Sequence, residues 1–502
     1  MNLWKKGKKS ALALAVALAL SVGTALAMPT GGDVKAGDVT GIVNGTVASG
    51  GTINVNSNAL IDWNNFSVRQ NEALNFAFNG SGLTAINHVT GGITSELMGT
   101  LTGANGHVMI INPSGIVVGS GAVIDVGSLT LSTLEATDDS LKNLLNSTGD
   151  IIFLASDTSN VDTALANYGV IQIADGVTLR AADSLTLQGS NVNVTDSNLT
   201  ANKIRLYAGD SIEGNGDLSL KFSADSPNYS ITIKNSYLTA QDTDNPSGSS
   251  IYAYGGTINL DNATLSGDIL RLNALKSRSS SYPNISHEAA ADYNLNITDS
   301  TLNAGSYLRL RGGSVDIAGS NATGGSVELT AYNTATEFNS GTPVADESNT
   351  ISVVKGSVIS SVHDVEMVAG TDIGVSDSSK ITAGEGHNVI FTPGKVVVPD
   401  PNEGNPTTPE EVKTAIEAIQ NHTNLTPQEQ ERQIASLMRK YEPTAEANEE
   451  IGGRLDAAVN DGQNMPGMTP AASEPRSLNE GEGTPTITVA EGDNEDKQEQ
   501  ER

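Results

Sequence analysis

Residues able to do covalent or acid–base chemistry are sparse in this chain of 502 residues. It has no cysteine, which removes a disulfide framework, a thiolate metal site and a cysteine nucleophile together. Its six histidines, His88, His107 and His363 among them, show no His-x-x-x-His or other ligand spacing, and its aspartates form no Gly-rich calcium nonapeptide. Neighbouring carboxylates occur at Asp138-Asp139 and Glu410-Glu411, where a helix and a polar tail are expected, and no segment gathers several acids with an arginine on one strand face. The expectation is no catalytic residue, no metal and no cofactor. What the chain does offer is residues that shape backbone. Asn112-Pro113-Ser114-Gly115-Ile116 combines a proline and a glycine that set a turn with asparagine and serine side chains able to bond it locally. Trp63 and Phe66 are large rings in a chain with 4% aromatics, and such rings are expected to fill a core or an end cap.

The elements that position these residues sit behind a leader. Lys5, Lys6, Lys8 and Lys9 precede an apolar run from Ala11 to Leu20 that ends in Ala25-Leu26-Ala27, the three-part pattern of a signal peptide over residues 1–27. Lysine plus arginine number 28 against 58 aspartate plus glutamate, so a basic face for nucleic acid is not expected. From Asp33 to Phe391 the chain is a succession of short segments of alternating polarity punctuated by Gly, Asn, Asp and Ser, which predicts strands. One exception, Asp138 to Asn146, carries Leu141, Leu144 and Leu145 at helical spacing behind Asp and Ser caps.

The strands repeat. An apolar-x-apolar pair followed by a small residue and a further apolar residue fits Val192, Val194 and Leu199; Ile231, Ile233 and Leu238; Ile258, Leu260 and Leu265; Leu295, Ile297 and Leu302; and Ile351, Val353 and Val358. Extra pairs at Leu185 and Leu187 and at Val315 and Ile317 point to a unit of about 20 residues, too short to bury its own apolar face. Units of this kind must stack, and stacked short parallel strands make a β-helix whose open first edge needs a cap. Coiled at about 20 residues per turn and about 4.8 Å per turn, the repeats would form a rod about 85 Å long. A linker at 399–406 opens a tail rich in Glu, Gln, Pro and Asn; within it 407–441 has the caps of a short helical hairpin, and 442–502 reads as disordered and acidic.

The stretch from Gly41 to Leu134 resembles a known family. Ile61-Asp62-Trp63-Asn64-Asn65-Phe66-Ser67-Val68, Glu72-Ala73-Leu74-Asn75-Phe76, Ala85-Ile86-Asn87-His88-Val89-Thr90 and Gly106 to Ile116 are similar in order and spacing to the amino-terminal secretion domain of two-partner-secretion exoproteins. That family includes filamentous haemagglutinin and the high-molecular-weight adhesins, and its domain is also called the haemagglutination activity domain. The resemblance implies an all-β, right-handed parallel β-helix with an amino-terminal cap, here the secretion domain over 28–180 and further repeats over 181–398. It implies a partner, an outer-membrane transporter whose periplasmic domains receive the unfolded exoprotein, and a protein secreted or displayed at the surface of a Gram-negative-type bacterium. The family's Asn-Pro-Asn-Gly-Ile motif stands here as Asn112 to Ile116 with Ser114 in place of Asn, and Asn87 with His88 occupies the place of an Asn followed by a basic residue in the adhesin branch. These are the expected secretion determinants.

The functional expectation is therefore an adhesin that binds a glycan or other cell-surface receptor. A polysaccharide-active β-helix enzyme and a released scaffold or effector are the alternatives.

Overall fold

The computed structural model describes residues 28–146, 151–155, 169–174, 176–214, 220–242, 248–279, 285–290, 292–332, 334–337, 349–392, 395–397 and 487–488. The signal peptide, the linker at 399–406, the helical hairpin at 407–441 and all of the acidic tail but Ile487–Thr488 lie outside them.

The strand segments coil into a parallel β-helix. Each turn lays one strand in an eleven-stranded sheet and then crosses two faces of a larger, 23-stranded sheet. Long strands show the crossing. Thr264–Ala274 pairs with Tyr237–Ala240 before a register shift between Gly267 and Ile269 and with Ser250–Gly255 after it. In-register partners such as Gln172 with Asn193 and Asn296 with Asp316 are 21 and 20 residues apart, the unit length the sequence predicts. Strict alternation puts Val192 and Val194, Ile231 and Ile233, Ile258 and Leu260, and Leu295 and Ile297 on the inside, each at 2% exposure or less. One continuous core runs from Ile53 to Phe391. The fifth repeat slips by a residue: Gly356 lengthens its corner, so Ile359, not Val358, takes the inward place beside Ala322.

The small residue in each repeat follows a corner. Asp196, Asn235, Asn262 and Asp299 hold φ between 47° and 50°, the left-handed region that Asn and Asp tolerate best after Gly. The residue that follows points inward, and where it is serine its hydroxyl donates to the carbonyl two residues back, as Ser236 does to Lys234 at 2.6 Å and Ser300 to Thr298 at 2.6 Å. The same hydroxyl accepts an amide from the turn before: Ser197 N to Ser236 Oγ at 3.1 Å, Ala263 N to Ser300 Oγ at 3.0 Å, Ser300 N to Ser320 Oγ at 3.0 Å, and Ser320 N to Ser357 Oγ at 3.2 Å. Buried amides at the corner are thereby satisfied without a wider loop.

Antiparallel strands close the first edge. Asp33–Ala36 runs against Ala59–Trp63, and Val39–Thr40 against Thr52–Val55. At the far end Ile487–Thr488 pairs in parallel with Val389–Ile390, the one part of the tail with an assigned strand among the described residues.

A second layer is not foreseen by the sequence. Segments that leave the coil between its second face and the eleven-stranded sheet form a seven-stranded sheet of their own, antiparallel throughout, built in chain order from Glu135–Ala136 and Ile152–Leu154 through Ser211–Glu213, Lys221–Ser223, Ser277–Ser279 and Ile285–Glu288 to Thr334–Glu337. Between it and the coil lies a second apolar cluster that includes Tyr207, Tyr254, Phe153 and Phe222. These excursions shorten the rod. The eleven stacked strands rise about 50 Å at about 4.8 Å per step, not about 85 Å, because residues counted as coil build the outer layer instead. The helix Asp138–Asn146 belongs to the first excursion, and its cap is Thr137 rather than Asp or Ser, since Thr137 Oγ1 accepts the Ser140 amide at 3.2 Å.

Candidate functional site

The sequence-singled residues gather in the first turns of the coil, on both sides of the strand Thr100–Ile111. Trp63 and Phe66 are fully buried, their rings edge to face at 5.7 Å, with Phe66 stacked on Phe76 at 6.5 Å. The amino-terminal segment lies over the indole so closely that a β-carbon on Gly32 would sit 2.5 Å from Trp63 Cζ3. Both rings thus form the core beneath the cap, where edge-to-face pairs add to simple burial.

Asn87 lies inside this core rather than on its surface. Its Oδ1 accepts Trp63 Nε1–H at 3.0 Å, and its Nδ2 donates to Met109 O at 3.0 Å and to Ala85 O at 3.2 Å. One amide therefore ties three successive turns, those of Trp63, Asn87 and Met109. A buried amide is stable only when its bonds are made, and here three are.

Three residues beyond Met109, Asn112 opens the corner into the eleven-stranded sheet. It is fully buried; its Nδ2 donates to Ile93 O at 2.9 Å and Ser95 Oγ at 2.8 Å, and its Oδ1 accepts the Ser114 amide at 3.0 Å. Gly115 N donates to Asn112 O at 3.0 Å, closing a β-turn with Pro113 at its second position, and Gly115 has φ +107°. Pro113 O accepts the Gly169 amide at 3.0 Å and Ser114 O accepts Thr94 Oγ1 at 3.0 Å, so the corner holds both the turn before and the turn after. Ile116 enters the core between Ser95 and Ile171. Ser114 makes these bonds through its backbone, which explains why serine serves where the family pattern has asparagine.

Two histidines gain roles that no local motif announces. His88 points outward, its Nδ1 3.1 Å from Asp62 Oδ1 and its Nε2 2.8 Å from Glu135 Oε1. Burial opposes its charge, yet the Glu135 and Asp62 carboxylates overcome this and raise its pKa above the ordinary 6.5. The pair of contacts fastens the first turns to the start of the outer layer. His107 bonds Thr130 Oγ1 at 2.8 Å, and burial pushes its pKa down to about 4, so it stays neutral.

Farther along, the structure assembles an acid with arginines that the sequence keeps apart. Glu328 faces Arg309 Nε and Arg311 Nη2, each at 3.0 Å, and accepts the Tyr307 hydroxyl. Burial would raise its pKa, but the two guanidiniums hold it down to about 2. Burial and the facing carboxylate raise that of Tyr307. A carboxylate held this way neither gives nor takes protons near neutrality, and the cluster works as a tie between turns. Among the described residues no group of three or more His, Asp or Glu is placed to hold a metal ion.

Comparison with known proteins decides the family. The family model described as the TPS secretion domain matches residues 25–329, more than half of the chain. The chain is a two-partner-secretion exoprotein. Members of that family are secreted through the outer membrane with a partner transporter there, and no described helix of this chain is long and apolar enough to cross a membrane. The crystal structure of the HMW1 secretion domain from Haemophilus influenzae shares the fold, with a TM-score of 0.52 and 20% identity over 74% of this exoprotein and 98% of that chain. Two heme/hemopexin-binding proteins of Haemophilus influenzae are similar, one 41% identical over 73 residues and the other 39% identical over 75. These matches cover 14% and 15% of the exoprotein and 8% of each relative's length.

Proposed function

We propose that this exoprotein is an adhesin, binding hydroxyl-rich ligands on host or neighbouring cells along its rod and turning over no substrate. The observation that carries this reading is the eleven-stranded face. Its outward positions stack in register from Gln172 through Asn193, Thr232, Asn259 and Asn296 to Asp316, and Asn296 Nδ2 donates to Asn259 Oδ1 at 2.8 Å. The result is a stripe of four amides, one hydroxyl and one carboxylate at the strand spacing of about 4.8 Å, suited to repeated hydrogen bonds with a polymeric glycan or a glycosylated surface. The outer layer sits on a different face and leaves the stripe uncovered by that sheet. The ligand named for the heme/hemopexin-binding relatives stays with them, because only a small part of each is matched.

A glycan and cell-binding screen of the secreted protein tests this. Binding lost in a variant combining Asn193→Ala, Asn259→Ala and Asn296→Ala supports adhesion through the stripe. Failure to bind any surface favours a scaffold or effector, and release of reducing or unsaturated ends from a polysaccharide would favour an enzyme.

The same proposal gives Asn87 and the Asn112–Ile116 corner their part in export. They fix the first complete turns, on which every later turn stacks as the chain emerges, so loss of either slows the folding that holds exported chain outside. Secretion of Asn112→Ala and Asn87→Ala, compared in cells with and without the partner transporter, is expected to fall in its presence. Export at the unaltered level would overturn the assignment.

A further inference from the structure

We propose that His363 and His387 form a zinc-type metal site at a corner near the carboxy-terminal end of the coil. The two residues are 24 apart in sequence and one turn apart in space, and His363 Nδ1 lies 3.4 Å from His387 Nε2 with the ring centroids 5.0 Å apart. A tetrahedral ion with bonds of about 2.0–2.1 Å to two imidazoles separates their nitrogens by about 3.3–3.4 Å. The facing nitrogens are therefore already at the bite of such an ion. His387 Nδ1 is 3.2 Å from Asp364 Oδ1, which fixes its tautomer: the Nδ1–H is given to the carboxylate and the Nε2 lone pair is turned toward His363. Asp364 Oδ1 is itself held by the Asn388 amide at 2.9 Å. A carboxylate behind a histidine behind the metal is how ligating imidazoles are commonly oriented.

The backbone is shaped for this approach. A β-carbon on Gly384 would lie 1.8 Å from Val362 O, so only glycine lets the 384–387 turn come this close to the strand end that carries His363. Gly386 follows with φ +79°, a left-handed bend that brings the chain round to His387. The His363 amide donates to Gly325 O at 2.8 Å and the His387 amide to Gly384 O at 3.0 Å, so both ligands stand on fixed backbone. Both imidazoles are surface groups, and the remaining coordination positions are open to water or to a donor from a second molecule. Two imidazoles and no thiolate select zinc and similar borderline divalent ions over calcium or magnesium.

The test uses the full secreted chain. Zinc binding is measured by competition with a chromophoric chelator, and cobalt(II) is added separately to read the visible absorption of a tetrahedral site. One zinc equivalent is expected to be lost, or weakened at least tenfold, in both His363→Ala and His387→Ala, and weakened about tenfold in Asp364→Asn, while His422→Ala leaves it unchanged. Circular dichroism confirms that the variants fold. Zinc binding that survives both histidine substitutions, no binding at about 1 mM zinc, or a cobalt spectrum of octahedral type would overturn the proposal.

Discussion

At the scale of single residues, the side chains that matter most act on backbone. The Asn112 side chain makes three hydrogen bonds inside the protein, so Asn112→Ala strands Ile93 O and the Ser95 hydroxyl and is expected to cost about 2–3 kcal/mol. Ser114→Ala, next to it, should cost under about 1 kcal/mol because its bonds are made by backbone; urea midpoints of the two variants check the contrast. The two histidines pull the pH dependence in opposite directions. His88 has a raised folded pKa, so its clamp stabilises fully below the unfolded value of 6.5 and fades as pH rises through the folded value. His107 has a folded pKa of about 4, so stability falls as pH drops from 6.5 toward 4, where the unfolded chain takes up a proton that the folded one refuses. Urea unfolding between about pH 4 and 8 is expected to lose its alkaline fall in His88→Asn and part of its acid fall in His107→Gln. The Asn112–Ile116 corner was legible in the sequence because its turn is closed locally, by Gly115 N to Asn112 O and by the Ser114 amide to Asn112 Oδ1. The His88 clamp and the Glu328 tie were not, because their partners lie 17 to 47 residues away and meet only once the register is set.

At the scale of elements, what the sequence shows plainly is the inward face of each turn. Strict alternation identifies residues such as Ile231 and Ile233, and the small residue between the apolar positions of each repeat marks where the turn falls. The outer layer is hidden for the opposite reason. Its strands are two to four residues long, as in Ser211–Glu213 and Lys221–Ser223, too short to show a period, and their apolar partners stand on the outward side of the coil where polarity is the rule. Tyr207, Tyr252 and Tyr254 are the trace that was available, large rings at positions that should face water. Because the layer has its own cluster, it should open separately from the coil. In Phe222→Ala, amide hydrogen exchange is expected to quicken across the outer strands while the amides of Val192 and Ile231 keep their protection; uniform quickening of both would show one cooperative unit instead.

At the scale of the whole molecule, the rod is a one-dimensional stack with a closed first end. Removing residues 33–47 would bare the edge of the first turns, and the shortened protein is expected to self-associate by light scattering where the full chain stays monodisperse. The direction of the corner bonds carries a further meaning. In every pair of the serine series the amide belongs to the earlier turn and the hydroxyl to the later one, from Ser197 to Ser236 through Ser320 to Ser357. A stack that grows from its amino end would thus show, wherever it stops, a corner donor whose partner lies in the segment still to be added. Each new turn delivers the missing acceptor, at about 1 kcal/mol a bond. The stack is therefore polar like a ratchet: its unfinished tip always asks for the next segment of the same chain.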